Sequence, residues 1–224
     1  MEVTNNYKER REIFMETFRG DTILTKKIPE ITAGLFYDEF DINIHDLTHI
    51  PIVFTIAWQK ILEFVGDQHC DEFAIDVCGL SLEYRTEYSE SDKSTNIVPQ
   101  MLHKKTPIFM KQKHQIKTGS TFTDELLKQY NSWRTVNLTE TLDKIERDVY
   151  SIALNEYGID LMVSATVFPL ITATYAAGLQ LAKETKETIN MYNIFEIDCL
   201  GDEDKIVITP LSTVKQYLKN DSKK

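Results

Sequence analysis

The stretch FAIDVCGLSLEY, residues 73–84, decides the fold because the hydrophobic period of the chain changes there. Before it, residues 49–65 repeat apolar side chains every three or four positions, which predicts an α-helix that Gly66 ends. From Phe73 onward apolar side chains alternate with other residues, and the run continues to Tyr84. That period predicts a β-strand with one buried face, so the chain passes here from helix to sheet.

Helices are predicted on both sides of a run of strands. The periodicity and the capping residues predict helices over 5–19, 29–38, 121–133, 139–157 and 211–219. Strands are predicted over 96–102, 107–116, 159–167, 194–200 and 205–209. The segment 159–182 has two interpretations, a strand followed by a helix near Pro169, which we favour, or one long kinked helix. This order predicts an α+β fold with a largely antiparallel sheet and flanking helices.

The chain is predicted to form a single domain. Its 224 residues are enough to bury a core without disulfides or metal, and no linker rich in Pro, Gly or Ser divides them. We expect the domain to span 1–219, with a projecting basic β-hairpin or arm at about 93–120 and a flexible tail at 220–224.

Composition indicates a globular protein that is not secreted through a signal peptide. The net charge of −10 disfavours non-specific adhesion to nucleic acid or anionic membranes, and the charged N-terminus is unlike a secretory signal. Three widely spaced cysteines favour a reducing compartment, so we expect a cytoplasmic or virion location. The uncharged run 161–182 is interpreted as a buried core segment and not as a membrane span.

The octapeptide IHDLTHIP, residues 44–51, resembles the H-E-x-x-H motif of zinc hydrolases, with aspartate in place of glutamate. Proline fits only the first turn of a helix, so Pro51 predicts Thr48 as the N-cap and His49 just inside the helix. His45 then precedes the helix and shares no helical face with His49. We therefore predict no metal site at this motif.

Recognisable catalytic signatures and cofactor motifs are absent from the sequence. It contains no glycine-rich phosphate loop, and neither Ser81 nor Ser164 lies in a G-x-S-x-G context. Cys78 and Cys199 lie in apolar strands, where a thiolate is disfavoured, and we expect both to be buried and inert. These features predict a protein that is not an enzyme and needs no cofactor.

The most informative feature is an uneven distribution of charge. From Lys93 to Thr123 there is no aspartate or glutamate, so all 35 acidic residues lie outside a window that carries six lysines. Apolar residues such as Met101 and Leu102 are interleaved with the positive charge. The predicted partner-contact residues of this window are Lys104, Lys105, Phe109, Lys111, Lys113 and Lys117.

Three functions are compatible with this sequence. The favoured hypothesis is a structural protein that acts as a repeated subunit, docking its basic segment on the acidic remainder of another copy or of another subunit. Low glycine and abundant Ile, Lys and Asn indicate an AT-rich genome, which suits a bacteriophage virion component of the head–tail or tail type. The first alternative is nucleic-acid binding through residues 93–117, although this window has no arginine. The second alternative is a metal-assisted hydrolase at His45, His49 and His69.

Overall fold

The structure, a computed structural model, describes residues 6–67, 72–103, 138–200 and 205–217. Its helices are α1 (Tyr7–Glu16), α2 (Ile28–Phe40), α3 (His49–Asp67), α4 (Leu138–Tyr157) and α5 (Val167–Thr185). Its strands are β1 (Glu72–Val77), β2 (Leu80–Ser89), β3 (Ser94–His103), β4 (Ile189–Met191), β5 (Phe195–Cys199), β6 (Ile206–Pro210) and β7 (Val214–Tyr217). The predicted α+β class is confirmed.

The strands form one antiparallel sheet in the order β1-β2-β3-β6-β5-β4. Two strands, β6 and β7, pair with the same edge of β3. Strand β7 pairs with residues 94–97, and β6 pairs with β3 where Met101 lies opposite Ile208. On the face that the helices cover, Met101, Ile197 and Ile208 are buried in a core that continues into the helices. The sheet therefore has one covered face and one face free of described helices.

The run 73–84 is two strands and not the single strand that its alternation predicts. Cys78 and Gly79 connect β1 to β2, with φ values of 56° and 80°. Positive φ at both residues of a two-residue loop is the geometry of a type I′ hairpin turn. The turn sets Val77 opposite Leu80. The apolar side chains therefore occupy odd-numbered positions in β1 (Phe73, Ile75 and Val77) and even-numbered positions in β2 (Leu80, Leu82 and Tyr84).

The N-terminal helices agree with prediction, with one extension. Gly20 follows α1 at a φ of 92°, as expected of a helix stop. The second helix is longer than 29–38, because a π-helical segment, Ile23–Lys27, leads directly into α2. Helix α3 was predicted over 49–65 and extends to Asp67. Its aromatic side chains pack in the core, where the Trp58 ring lies edge-on to the Phe195 ring at a centroid distance of 5.5 Å.

Helix α4 ends on a glycine that the fold requires. Gly158 has a φ of 64°, and the N–H groups of Gly158 and Ile159 bond to the carbonyls of Leu154 and Ala153 at 3.1 and 2.9 Å. The first bond is that of the αL C-cap motif, in which the residue after the helix bonds to the carbonyl four residues before it. A Cβ at this position would lie 2.6 Å from the ring of Tyr7, so the glycine also lets α1 pack closely on the end of α4.

The segment 159–167 is not a strand, and the alternative of one long helix is also wrong. Residues 159–163 are irregular, a short 3-10 turn covers Ser164–Thr166, and α5 begins at Val167. The carboxylate of Asp160 accepts a hydrogen bond from the backbone N–H of Met162 at 2.8 Å, which holds this connection in a turn. Local side-chain bonding of this kind competes with a strand ladder.

Helix α5 passes through the core. A Cβ on Gly178 would lie 2.4 Å from Met191 Sδ, so the glycine lets the helix approach the sheet. Among the described helices one, Ser164–Thr185, is apolar and long enough to cross a membrane, with a mean hydropathy of 1.3, and 78% of that window is buried in the protein. The absence of a membrane span stays a prediction.

The C-terminal hairpin is confirmed and the final helix is wrong. Strands β5 and β6 pair from Phe195–Pro210 to Cys199–Ile206, as the sequence indicated. Residues 214–217 of the predicted helix 211–219 form β7 instead, because β3 offers them an unpaired edge and Lys215 pairs with Asp92. The predicted strand 107–116, the predicted helix 121–133 and the predicted tail 220–224 lie outside the described residues.

Candidate functional site

The histidine motif forms the junction at which α3 begins. The helix begins at His49 as predicted, but the capping side chain belongs to Asp46 and not to Thr48. The Asp46 carboxylate accepts hydrogen bonds from the Thr48 backbone N–H at 3.0 Å and from its hydroxyl at 2.6 Å. Aspartate at this position satisfies N–H groups that a helix start leaves free.

Asp46 and Arg11 together connect three helices through polar contacts. Its carboxylate lies 3.6 Å from Arg11 of α1 and 3.5 Å from His49. Arg11 donates in turn to the carbonyl oxygen of Tyr157, at the end of α4, at 2.6 Å. Burial raises the pKa of Asp46, but the hydrogen bonds from Thr48 and the positive charge of Arg11 outweigh this effect and lower the pKa, so the carboxyl is ionised near neutrality.

No metal centre is formed at this junction by the residues that the structure describes. Burial lowers the pKa of His49, against the opposing effect of Asp46, so its ring is neutral near pH 7 and serves as a structural contact. His45 is exposed, and the described ranges hold no group of three or more His, Cys, Asp or Glu side chains suited to a metal ion. His69, the third residue of the hydrolase alternative, lies outside those ranges.

A line of polar side chains crosses the core beneath the β1–β2 turn. Cys78 lies in that turn near Thr172 of α5, whose hydroxyl donates to the carbonyl oxygen of Phe168 at 2.8 Å. One helical turn further along α5, the hydroxyl oxygen of Tyr175 lies 2.5 Å from Nδ1 of His103, at the end of β3. From its sequence context Cys78 is expected to be buried and inert, and no local pattern marks Tyr175 or His103 as a functional candidate.

Glu146 of α4 is the buried acid at one end of this line. It is only 4% exposed, and one of its oxygens, Oε1, has no hydrogen-bond partner. The backbone N–H of Phe168, in the first turn of α5, lies near the carboxyl and opposes part of the effect of burial on its pKa. Burial, reinforced by the charge of Asp143, raises the pKa of Glu146 to about 8.

Both described cysteines are buried, as predicted, with Cys78 1% and Cys199 7% exposed. Burial raises the pKa of the Cys78 thiol to about 12, which disfavours the thiolate needed for nucleophilic attack. The line therefore holds a hydrogen-bonded histidine and a buried acid with a raised pKa.

The face of the sheet that lacks described helices exposes apolar side chains. Leu102 is 48% exposed, Val207 43% and Leu200 62%. Since Met101 faces Ile208, the same antiparallel register sets Leu102 opposite Val207. Val207 in turn pairs with Asp198, and Leu200 follows two residues later on the same side. We call Leu102, Leu200 and Val207 the apolar patch.

None of the predicted contact residues of the basic window is among the residues that the structure describes. These are Lys104, Lys105, Phe109, Lys111, Lys113 and Lys117, and the predicted arm at 93–120 is described only to His103. That described part is strand β3 in the middle of the sheet. Both the docking hypothesis and the nucleic-acid hypothesis for these lysines stay predictions.

Comparison with models of known families, with curated proteins and with solved structures found no match for this chain.

Proposed function

We propose that this chain is a non-enzymatic structural protein that works as a repeated subunit, and that copies contact one another through the apolar patch. The observation that supports the proposal is the exposure of Leu102, Leu200 and Val207 side by side on the face of the sheet that carries no described helix. Scattered apolar residues are ordinary on a protein surface, whereas neighbouring ones on a sheet face are typical of contact surfaces.

The charge around the patch favours a second copy of this chain as the occupant. Glu196 and Asp198 alternate with the buried positions of β5 and therefore lie on the same face as the patch. The acid-free window 93–123 supplies six lysines within the same chain. A basic segment of one copy facing acidic residues of another makes a head-to-tail contact, which closes into rings or extends into tubes.

The apolar part of this contact is tested by reducing the patch without disturbing the strands. The double variant Leu102→Thr with Val207→Thr keeps β-branched or strand-forming side chains but removes apolar surface. Val163→Thr is the matched control, because Val163 is 54% exposed in the loop before α5. We expect native mass spectrometry to show weaker assembly for the double variant and unchanged assembly for the control. Equal assembly in all three proteins would contradict a role for the patch.

The charged part is tested by charge reversal. Lys111→Glu with Lys113→Glu should weaken the oligomer, and the effect should shrink as salt rises. Lys26→Glu with Lys27→Glu makes the same change in charge at two exposed lysines outside the window. If both pairs weaken assembly equally, net charge is responsible and the basic segment is not a specific contact.

Within this class we propose a virion component, on the strength of composition, moderate size and segregated charge. Electron microscopy of the purified chain at low salt should then show rings or tubes of regular diameter. Particles of a single monomer size at all concentrations would contradict this part of the proposal.

A further inference from the structure

The loop between α4 and α5 presents an exposed methionine on a strained turn. Met162 is 71% exposed, the highest value among the large apolar side chains that the structure describes. Its φ is 69°, and the N–H of Val163 donates to the carbonyl oxygen of Leu161 at 2.8 Å. A hydrogen bond that spans one central residue of positive φ defines a γ-turn of the rare and strained kind. Such a conformation persists only where the surrounding structure holds it.

Side chains on both sides of the turn hold it in place. The Asp160 carboxylate accepts hydrogen bonds from the backbone N–H of Met162 at 2.8 Å and from the hydroxyl of Tyr150, on α4, at 3.1 Å. The hydroxyl of Thr166, just before α5, lies 2.7 Å from the carbonyl oxygen of Val163. The backbone that carries Met162 is therefore fixed before any contact is made, which lowers the entropy cost of binding through this side chain.

The groove between β3 and β6 can receive an apolar side chain of this kind. It has a volume of 340 Å³ and is lined by residues 100–103 and 206–210, most of them apolar. Within the described ranges the two strands pair only where Met101 lies opposite Ile208, which leaves the groove open beside that pair. Leu102 and Val207 line the groove and also belong to the apolar patch, so the groove is part of the surface proposed above for contact between copies.

Position and charge favour a contact between two copies. Met162 precedes α5, which packs on the covered face of the sheet through Gly178, whereas Leu102 and Val207 lie on the other face. Residues 148–182, which contain Met162, carry three acidic side chains and no lysine or arginine. Strand β3 belongs to the acid-free window, which carries six lysines. Opposite charge on the two surfaces favours their encounter in different copies.

We propose that the Met162 side chain of one copy inserts into the groove between β3 and β6 of the next copy. The inference rests on the assembly proposed above, and it identifies the part of a second copy that covers the apolar patch. Because the methionine and the groove are different surfaces of the same chain, every copy uses both and the contact is head-to-tail.

Native mass spectrometry of Met162→Asn tests the insertion. Asparagine adopts a positive φ more readily than methionine, so this change keeps the turn and removes the apolar side chain. Loss of one methionine that is buried on assembly should weaken the oligomer about tenfold or more. Met162→Leu, which keeps an apolar side chain, and Val163→Thr, which leaves Met162 in place, should assemble like the wild type.

Mixing two variants tests the head-to-tail geometry. Met162→Asn keeps an intact groove, and Leu102→Thr with Val207→Thr keeps an intact methionine. We expect each variant alone to be largely monomeric and an equimolar mixture to form a dimer with one copy of each, because one intact methionine then meets one intact groove. The absence of that mixed dimer, or assembly of Met162→Asn as strong as that of the wild type, would overturn this inference. An oligomeric wild type leaves the assembly proposal standing in either case, whereas a monomeric wild type contradicts both.

Discussion

Glu146 imposes a cost on folding that grows with pH. An ordinary glutamate has a pKa of 4.5, and burial raises that of Glu146 to about 8. At pH 7 the unfolded chain therefore ionises this group while the folded chain keeps it protonated. The gap between 4.5 and 7 corresponds to about 3 kcal/mol of lost stability.

The sign follows from the raised pKa. Folding keeps its full stability below pH 4.5, where both states are protonated, and loses stability as pH rises towards 8, above which both are ionised. Glu146→Gln keeps the shape of the side chain but removes its ionisation. We expect its stability relative to wild type to increase by about 1.4 kcal/mol per pH unit between about pH 5 and pH 8.

Urea denaturation at several pH values measures this difference. A constant cost of burying the amide shifts every point equally, so the slope with pH is the informative quantity. Asp148→Asn, at an exposed position two residues along α4, is the matched control for the loss of one carboxylate from this helix. A stability difference for Glu146→Gln that stays flat from pH 5 to pH 8 would show that Glu146 does not stay protonated in the folded protein.

Other predictions concern the helix junctions and the thiol. Gly158→Ala should destabilise the protein by about 1–3 kcal/mol, because it combines a φ of 64° with a clash against Tyr7. Thermal melts should compare it with Gly34→Ala, where a Cβ has open space and the change should be neutral or stabilising. Equal effects of the two changes would show that close packing on α4 is unimportant. Asp46→Asn should lower the free energy of unfolding by about 1 kcal/mol, and by less at high salt because this carboxylate is partly exposed. An unchanged melting temperature at low salt would show that Asp46 does not stabilise the helix junction. Cys78 should resist thiol reagents at pH 8 until the protein unfolds, and mass spectrometry locates the modification. Rapid labelling of this thiol in the folded protein would contradict its burial.

Elements with a strong local pattern were predictable from the sequence. Helices α3 and α4 and the β5–β6 hairpin each carry a period that only one kind of secondary structure satisfies. The β1–β2 turn was missed because Cys78 adopts a positive φ, which side chains other than Gly, Asn and Asp rarely do. Strand β7 was missed because its pairing depends on β3, more than a hundred residues earlier.

The candidate sites were predictable only in part. His103 and Tyr175 are 72 residues apart, and no local pattern connects a strand end with the middle of a helix. Glu146 did leave a signal, because it follows Leu142 by four residues and so falls within the apolar stripe of α4. An acid in such a stripe is a candidate for a strongly shifted pKa.

Assembly through the face of the sheet that carries no described helix can be tested by native mass spectrometry of the wild-type chain and of Leu102→Thr with Val207→Thr at low and high salt. We expect the wild type to form an oligomer at low salt that is weakened both by salt and by the double variant. A wild-type chain that stays monomeric at every salt and protein concentration would contradict it.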